Sequence, residues 1–181
     1  MMKSNRSDIQ LVVPDEKRDA VFALGWFERP EGRATLLSMG NSESEIEPST
    51  IETESATIRE FLMLEEQDKQ ITRMIRVDKR TIGAVWIELF ENHGVKPPSI
   101  HILIGVPEYR GKGIGMSVMQ SAIDYVRGVL GESIIYSRHL AKNTAVSKLN
   151  EKIGFVKDGG PYIDGNDLQW QYTKFVIPRQ S

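Results

Sequence analysis

Ser99-Ile100-His101-Ile102-Leu103-Ile104-Gly105-Val106-Pro107-Glu108-Tyr109-Arg110-Gly111-Lys112-Gly113-Ile114-Gly115 is the stretch on which the reading of this chain turns. The run Ile100–Ile104 is short, apolar and rich in β-branched residues, and Gly105 ends it, so it reads as a buried strand. After Gly115 the apolar residues Met116, Met119, Ala122, Ile123, Val126 and Leu130 recur at helical spacing. The order is strand, basic glycine-rich turn, helix. A helix start offers unpaired backbone N–H groups and the positive end of the macrodipole. Glycines let that backbone approach a ligand, and Arg110 and Lys112 add charge, so the turn reads as an anion site of the pyrophosphate kind. A Walker loop would need Ser or Thr after a Gly-Lys pair at its end, and Gly115 is followed by Met116-Ser117. The dinucleotide fingerprint would need glycine at 116 and a tighter turn after the strand than Pro107–Arg110 allows.

The pattern Arg/Gln-x-x-Gly-x-Gly/Ala is met in full by Arg110-Gly111-Lys112-Gly113-Ile114-Gly115. A second run, Asn143-Thr144-Ala145-Val146-Ser147-Lys148-Leu149-Asn150-Glu151-Lys152-Ile153-Gly154-Phe155, reads as an asparagine, a helix, and the ending Glu-Lys-x-Gly-Phe. On these two motifs the chain resembles the GNAT N-acetyltransferase superfamily, specifically over residues 99–157 and by element order alone before them. The resemblance implies an α/β (α+β) fold: a central mixed, mostly antiparallel sheet of six to seven strands flanked by about four helices.

Length and composition set the bounds. The chain has 181 residues, enough for one domain with a real core, expected to run 1–181. It is 40% hydrophobic and 27% charged, with 23 Lys+Arg against 25 Asp+Glu and a formal charge of −2. That balance argues against a nucleic-acid binder resting on a basic face. No cysteine is present, which excludes disulfides, thiolate metal sites and a cysteine nucleophile. His93, His101 and His139 show no metal-ligand spacing, so no metal is expected. No run approaches a membrane span, and no apolar stretch follows Met1-Met2-Lys3-Ser4-Asn5-Arg6, so a cytoplasmic protein is expected.

Taken in order, Asp8–Val13 reads as a strand and Asp15–Phe27 as a helix with Ala20, Phe22, Ala23, Leu24, Trp26 and Phe27 on its apolar face. Glu28–Gly32 reads as a break, and Ala34–Met39 fits helix and strand equally. Gly40–Thr50 is acidic and reads as a solvated connection. Thr50–Glu66 reads as a helix turning Ile58, Phe61, Leu62 and Met63 to the core. Gln70–Val77, a turn at Asp78-Lys79-Arg80 and Thr81–Phe90 make a hairpin, with Ile71, Arg73 and Ile75 on one side of its first strand. Past the central helix, Ser133–Ser137 is a strand, Thr144–Ile153 a helix with Gly154 as C′, Phe155–Lys157 the start of a strand, and Leu168–Ile177 a last strand. That is one strand, two helices, three strands, helix, strand, helix, and one or two strands. In the resemblance 1–98 shapes the acceptor pocket, 99–157 is the acetyl-CoA-binding core, and 158–181 is a C-terminal strand region.

The resemblance implies transfer of an acetyl group from acetyl-CoA to a primary amine of a small molecule or a protein N-terminus or lysine, by direct attack in a ternary complex. Backbone N–H groups of Gly111, Lys112, Gly113, Ile114 and Gly115, with Arg110, would hold the pyrophosphate. The strand end Ile104, Gly105 and Val106 would pair with the pantetheine amides, which needs a splay between the strands at Ile104 and Ser137. Asn143 and Lys152 would contact the coenzyme, and a backbone N–H near Ile104 would serve the oxyanion. Asn143 also suits a plain N-cap. The amine's proton needs an acceptor. Glu88, on a strand face with Trp86 and Phe90 whose apolar character would raise its pKa, is one candidate, and His101 the other. Many members carry tyrosine where this chain has Asn150, and an amide cannot protonate a leaving thiolate. Tyr136 and Tyr162 are the candidates to replace it. The departure keeps open a non-catalytic acyl-CoA sensor of the same fold, with a dinucleotide-type nucleotide-binding domain as a further alternative. An exposed last strand could pair across a homodimer.

Overall fold

The structure is a computed structural model and describes residues 2–28 and 30–178. Eight strands form one sheet: β1 (Ile9–Val12), β2 (Gln70–Val77), β3 (Arg80–Glu88), β4 (Ser99–Ile104), β5 (Ile134–Leu140), β6 (Val156–Lys157), β7 (Tyr162–Ile163) and β8 (Gln169–Val176). Their order is β1-β2-β3-β4-β5-β8-β6, with β7 on β8. Five α-helices accompany them: α1 (Glu16–Phe27), α2 (Pro30–Ser38), α3 (Ile51–Glu66), α4 (Ile114–Tyr125) and α5 (Thr144–Ile153). Every pairing is antiparallel except β4 with β5. The expected mixed, mostly antiparallel sheet is present, with one strand and one helix more than expected. Among the described residues no helix is long and apolar enough to cross a membrane.

The added helix is α2. Pro30 and Gly32, read from sequence as a break, lie inside it: proline suits a first helical position, where its missing N–H costs nothing. Gly32 is buried because α2 turns back on α1 so closely that a Cβ there would sit 2.3 Å from the Trp26 carbonyl oxygen. The added strand is β7, a two-residue piece that the turn Asp164–Asp167 folds onto Gln169 and Trp170. Strand β5 also runs three residues past Ser137, because β8 pairs it to Leu140 and so accommodates Arg138 and His139.

The hairpin β2–β3 closes through Asp78 and Lys79, both at positive φ (50° and 67°), as a two-residue turn of matching twist requires. Both faces of β2 are covered, so its alternation does not divide buried from exposed. On α3 only Ile58 is fully buried, and Met63 faces solvent at 48% exposure. Alternation along β3 and β4 turns Ala84, Trp86, His101 and Leu103 toward α1 and α3, and Ile102 toward α4.

Helix α1 is fastened to the sheet by Asp19, which is wholly buried. Its carboxylate accepts from Thr81 Oγ1 (2.8 Å), the Asp15 N–H (2.8 Å), and Arg18 Nε and Nη2 (2.8 and 2.5 Å). Removing the Asp19 carboxylate leaves the buried Thr81 hydroxyl and the Asp15 N–H without their acceptor, at about 1–3 kcal/mol each, while Arg18, 31% exposed, can turn to water. Asp19→Ala is therefore expected to lose about 3 kcal/mol in urea unfolding, and Thr81→Val about 2 kcal/mol, the worth of one hydrogen bond to a charged group.

Candidate active site

Strands β4 and β5 share a single registered pair, Ser99 with Tyr136, closed by the Tyr136 N–H donating to the Pro98 carbonyl at 2.9 Å. Beyond it they part. On its other edge β4 stays zipped to β3, and the Gly105 N–H donating to Ile82 O (2.8 Å) sets the phase of that ladder. Odd-numbered residues 99–105 therefore bond β3, and the backbone N–H and C=O of Ile102 and Ile104 point into the splay. The expected opening between Ile104 and Ser137 is there. Of the expected trio, only Ile104 turns its backbone to it. Gly105 and Val106 both donate to Ile82 O, at 2.8 and 3.2 Å, so their amides are already used by the fold. Gly105 has a second duty: a Cβ there would sit 2.3 Å from the Trp26 ring.

Below the splay, α4 begins at Ile114 with Gly113 as its cap (φ 75°) and Gly111 at φ 73° before it. Both conformations favour glycine, and nothing lies within 4 Å of a Cβ built on Gly111, so its backbone is open to a ligand. Gly115 packs at ordinary contact against Leu149 and Ile102, and Ile114 is buried in the core. Lys112 is exposed, its ammonium 5.4 Å from the Tyr109 ring centroid, and its carbonyl accepts from Arg6 Nη1 at 3.0 Å. Arg110 lies across the groove: Nε donates to Ile104 O (2.9 Å) and Nη2 to Thr35 Oγ1 (3.0 Å). Asn143 is the N-cap of α5, accepting from the Val146 N–H at 3.2 Å, and its Nδ2 donates to Ser38 O at 3.1 Å. Gly111, Arg110, Ile104, Asn143 and Lys152 line one cavity of about 500 Å³ between the loop and α5. A glycine-opened helix start beside two cations suits a pyrophosphate on charge and on space.

The two proposed bases form one cluster. Glu88 Oε2 accepts from Ser99 Oγ at 3.2 Å and lies 3.3 Å from His101 Nε2; Oε1 accepts from Asn92 Nδ2 at 3.1 Å. His101 Nε2 is also 3.1 Å from Ser99 Oγ. The carboxyl is not raised, as an apolar strand face would have made it. Burial pushes it up, but the hydrogen bond and charge of His101, then Asn92 and Ser99, outweigh burial and bring it from the ordinary 4.5 to about 2. The apolar neighbour Trp86 stacks on the imidazole (centroids 5.3 Å, planes 12° apart) and leaves the carboxylate to its polar partners. An ionised carboxylate only accepts, so the proton of neutral His101 belongs on Nε2 and Nδ1 keeps its lone pair.

Glu88 and His101 line a cavity of about 230 Å³ that also meets Asn143, Asn150, Ser137 and Met39. Asn150 is buried and its Nδ2 donates to Thr173 Oγ1 at 3.4 Å. Tyr136 lines a different cavity with Lys96 and Asp158, and Tyr162 stacks on Tyr172 with its hydroxyl accepting from Arg138, so neither lines the cavity of Glu88 and His101. Sequence reasoning missed Met39, Arg138 and Trp170. Met39 is a wall of four cavities, and Arg138 lies 4.1 Å over the Trp170 ring. The connection after Gly40 is also more than a solvated link, since Glu45–Ser49 wall a cavity with α1 and α3. Among the described residues no three metal-ligating side chains stand together.

Because the Glu88 carboxyl is lowered in the folded chain, its stabilising contribution is complete above about pH 4.5 and is lost as pH falls toward about 2. The stability advantage of the wild type over Glu88→Gln is expected to shrink across that window in urea unfolding at a series of pH values. A constant difference would contradict the assignment.

The chain matches the family model of the acetyltransferase (GNAT) domain over residues 10–156. An uncharacterized N-acetyltransferase of Archaeoglobus fulgidus is 34% identical over 70 residues, 36% of this chain and 46% of that relative, so the match spans under half the relative's length. The microcin self-immunity acetyltransferase MccE, solved with acetyl-CoA and AMP, superposes with a TM-score of 0.74 at 15% identity, covering 95% of this chain and 94% of that one. The spermidine N-acetyltransferase of Vibrio cholerae, solved with CoA and spermine, gives 0.71 at 19% identity, covering 94% and 96%. At such identities the likeness is one of fold, and the family match carries the assignment: this chain belongs to the GNAT acetyltransferases.

Proposed function

We propose that this protein is an acetyl-CoA-dependent N-acetyltransferase that acetylates a primary amine by direct attack. The observation that carries this reading is the Glu88–Ser99–His101 cluster, set at the closed end of a splayed strand pair whose open end leads to a glycine-opened helix start. Bound acetyl-CoA would supply an activated acyl group. The Gly111–Gly115 amides and Arg110 would hold its pyrophosphate, and the backbone of Ile102 and Ile104 its amide-bearing arm. Asn143 and Lys152 stand on the same groove.

The amine must lose a proton to attack, and His101 Nδ1 is the acceptor. Glu88 and Ser99 fix the ring through Nε2, and Glu88 stabilises the imidazolium that forms. In this reading residues 1–98 shape the acceptor side and 99–157 the donor side. The competing reading, a non-catalytic acyl-CoA binder, draws on Asn150, a buried amide bonded to Thr173 where a proton donor would stand. A thiol of ordinary pKa near 8.5 leaves with little help, which favours the enzyme.

Calorimetry with acetyl-CoA, using ATP and NAD as controls, tests the donor site. Saturable binding of acetyl-CoA alone is expected, weakened about tenfold or more by Gly113→Asp, whose carboxylate would oppose the phosphates. Unchanged affinity in that variant contradicts the loop assignment. His101→Ala is expected to lower kcat about 100-fold with little change in acetyl-CoA affinity, and to abolish the acidic limb of the pH–rate profile. Turnover of any amine rejects the binder.

A further inference from the structure

We propose that the acceptor is a small amine borne on an apolar body of aromatic size, without an anionic group, and that the body sits in the cavity between α1, α3 and β3. This rests on the transferase reading above.

That cavity is about 410 Å³, within the range of roughly 300–1,000 Å³ common for small-molecule sites. Trp26, Phe27, Phe61 and Trp86 wall it, with Ile58 and Leu103. Trp86 stacks between the Phe61 ring (centroids 6.3 Å) and the His101 ring (5.3 Å), so an aromatic wall leads directly to the proposed base. Met39 and Leu103 belong both to this cavity and to the donor groove, and Met39 and Trp86 both to it and to the cavity of His101. An amine held here would therefore lie where donor and base meet.

Charge defines what the body lacks. Among the described residues no lysine, arginine or histidine lines the cavity, whereas Glu45, Glu47 and Glu54 do. Burial pushes the Glu54 carboxyl up, opposed by the Ser49 hydroxyl that donates to it. A carboxylate or phosphate on the acceptor body would lose its hydration beside these three acidic side chains and be repelled by those that are ionised. Arg138, which lines both the neighbouring polar cavity and the cavity of Glu88 and His101, lies outside this wall.

The test uses phenethylamine, L-phenylalanine, which adds one carboxylate, and spermidine, which lacks the ring. Thiol release measures turnover. Quenching of tryptophan fluorescence with CoA present measures occupancy, since Trp26 and Trp86 wall the cavity. Phenethylamine is expected to show a kcat/KM at least about tenfold above both others, and to quench saturably. Phe61→Ala should raise its KM about tenfold, and the bulkier Phe61→Leu less, in line with the cost of lost apolar contact. Equal or better use of L-phenylalanine would hand recognition to Arg138 and overturn the proposal. Preference for spermidine, without a quench by phenethylamine, would also overturn it; both results leave the transferase standing. A saturable quench with no turnover of any amine would uphold the occupant and reject the transferase. Absence of both quench and turnover with phenethylamine overturns the proposal.

Discussion

The parting of β4 from β5 after one pair is the constraint on which the site depends. A strand inside a sheet normally spends its N–H and C=O groups on both neighbours, and groups left unpaired away from water are costly. Here one edge of β4 is fully engaged with β3 from Gly83 to Glu88, which holds the strand rigid. Its other edge is free beyond Ser99, where β5 turns away from it while staying paired on its own far edge with β8 from Ile134 to Leu140. The result is a slot through the middle of the sheet, with polar backbone on one wall. The cavity of Glu88 and His101 takes its wall from both strands, so a change in how β5 pairs with β8 would reach the site.

Burying a carboxylate beside an aromatic ring ought to leave it neutral. The sheet prevents this through register. Glu88 stands opposite Ser99 and next to the Trp86–His101 pair, and the loop after β3 returns Asn92 to its second oxygen. Three donors from three nearby positions replace the lost water, and the anion becomes the more stable form. A fixed anion then fixes the tautomer of the histidine. Position along two adjacent strands is thus translated into a choice of which ring nitrogen can accept a proton.

What was legible in the sequence is what local physics decides. The β-branched run Ile100–Ile104, the glycines from 111 to 115 and the asparagine cap at 143 each state their conformation without reference to distant residues, and the donor side follows from them. The rest required contacts between remote segments. Pro30 and Gly32 look like breakers, yet one suits a helix start and the other is needed only because α2 crosses α1 at the Trp26 carbonyl. Arg138 and His139 look too polar for a buried strand until β8 is placed beside them. The lowered carboxyl of Glu88 is not legible locally, because its apolar neighbours are adjacent in sequence whereas its polar partners are brought by the loop after β3 and by β4. The cavity proposed for the acceptor is least legible, since its walls come from α1, α2, the acidic connection and α3, none of which carries a local motif.

The position of Met39 has a consequence for the chemistry of the cell. Thioethers serve well as a common wall, being soft, unbranched and able to adapt to different contents. They are also open to oxidants, and the Met39 residue as a whole is 37% exposed. Conversion to the sulfoxide would place a polar, chiral S–O group on all four cavities at once. In a chain that has no cysteine, a thioether at the meeting point of four cavities is where oxidation would change the most walls in one event.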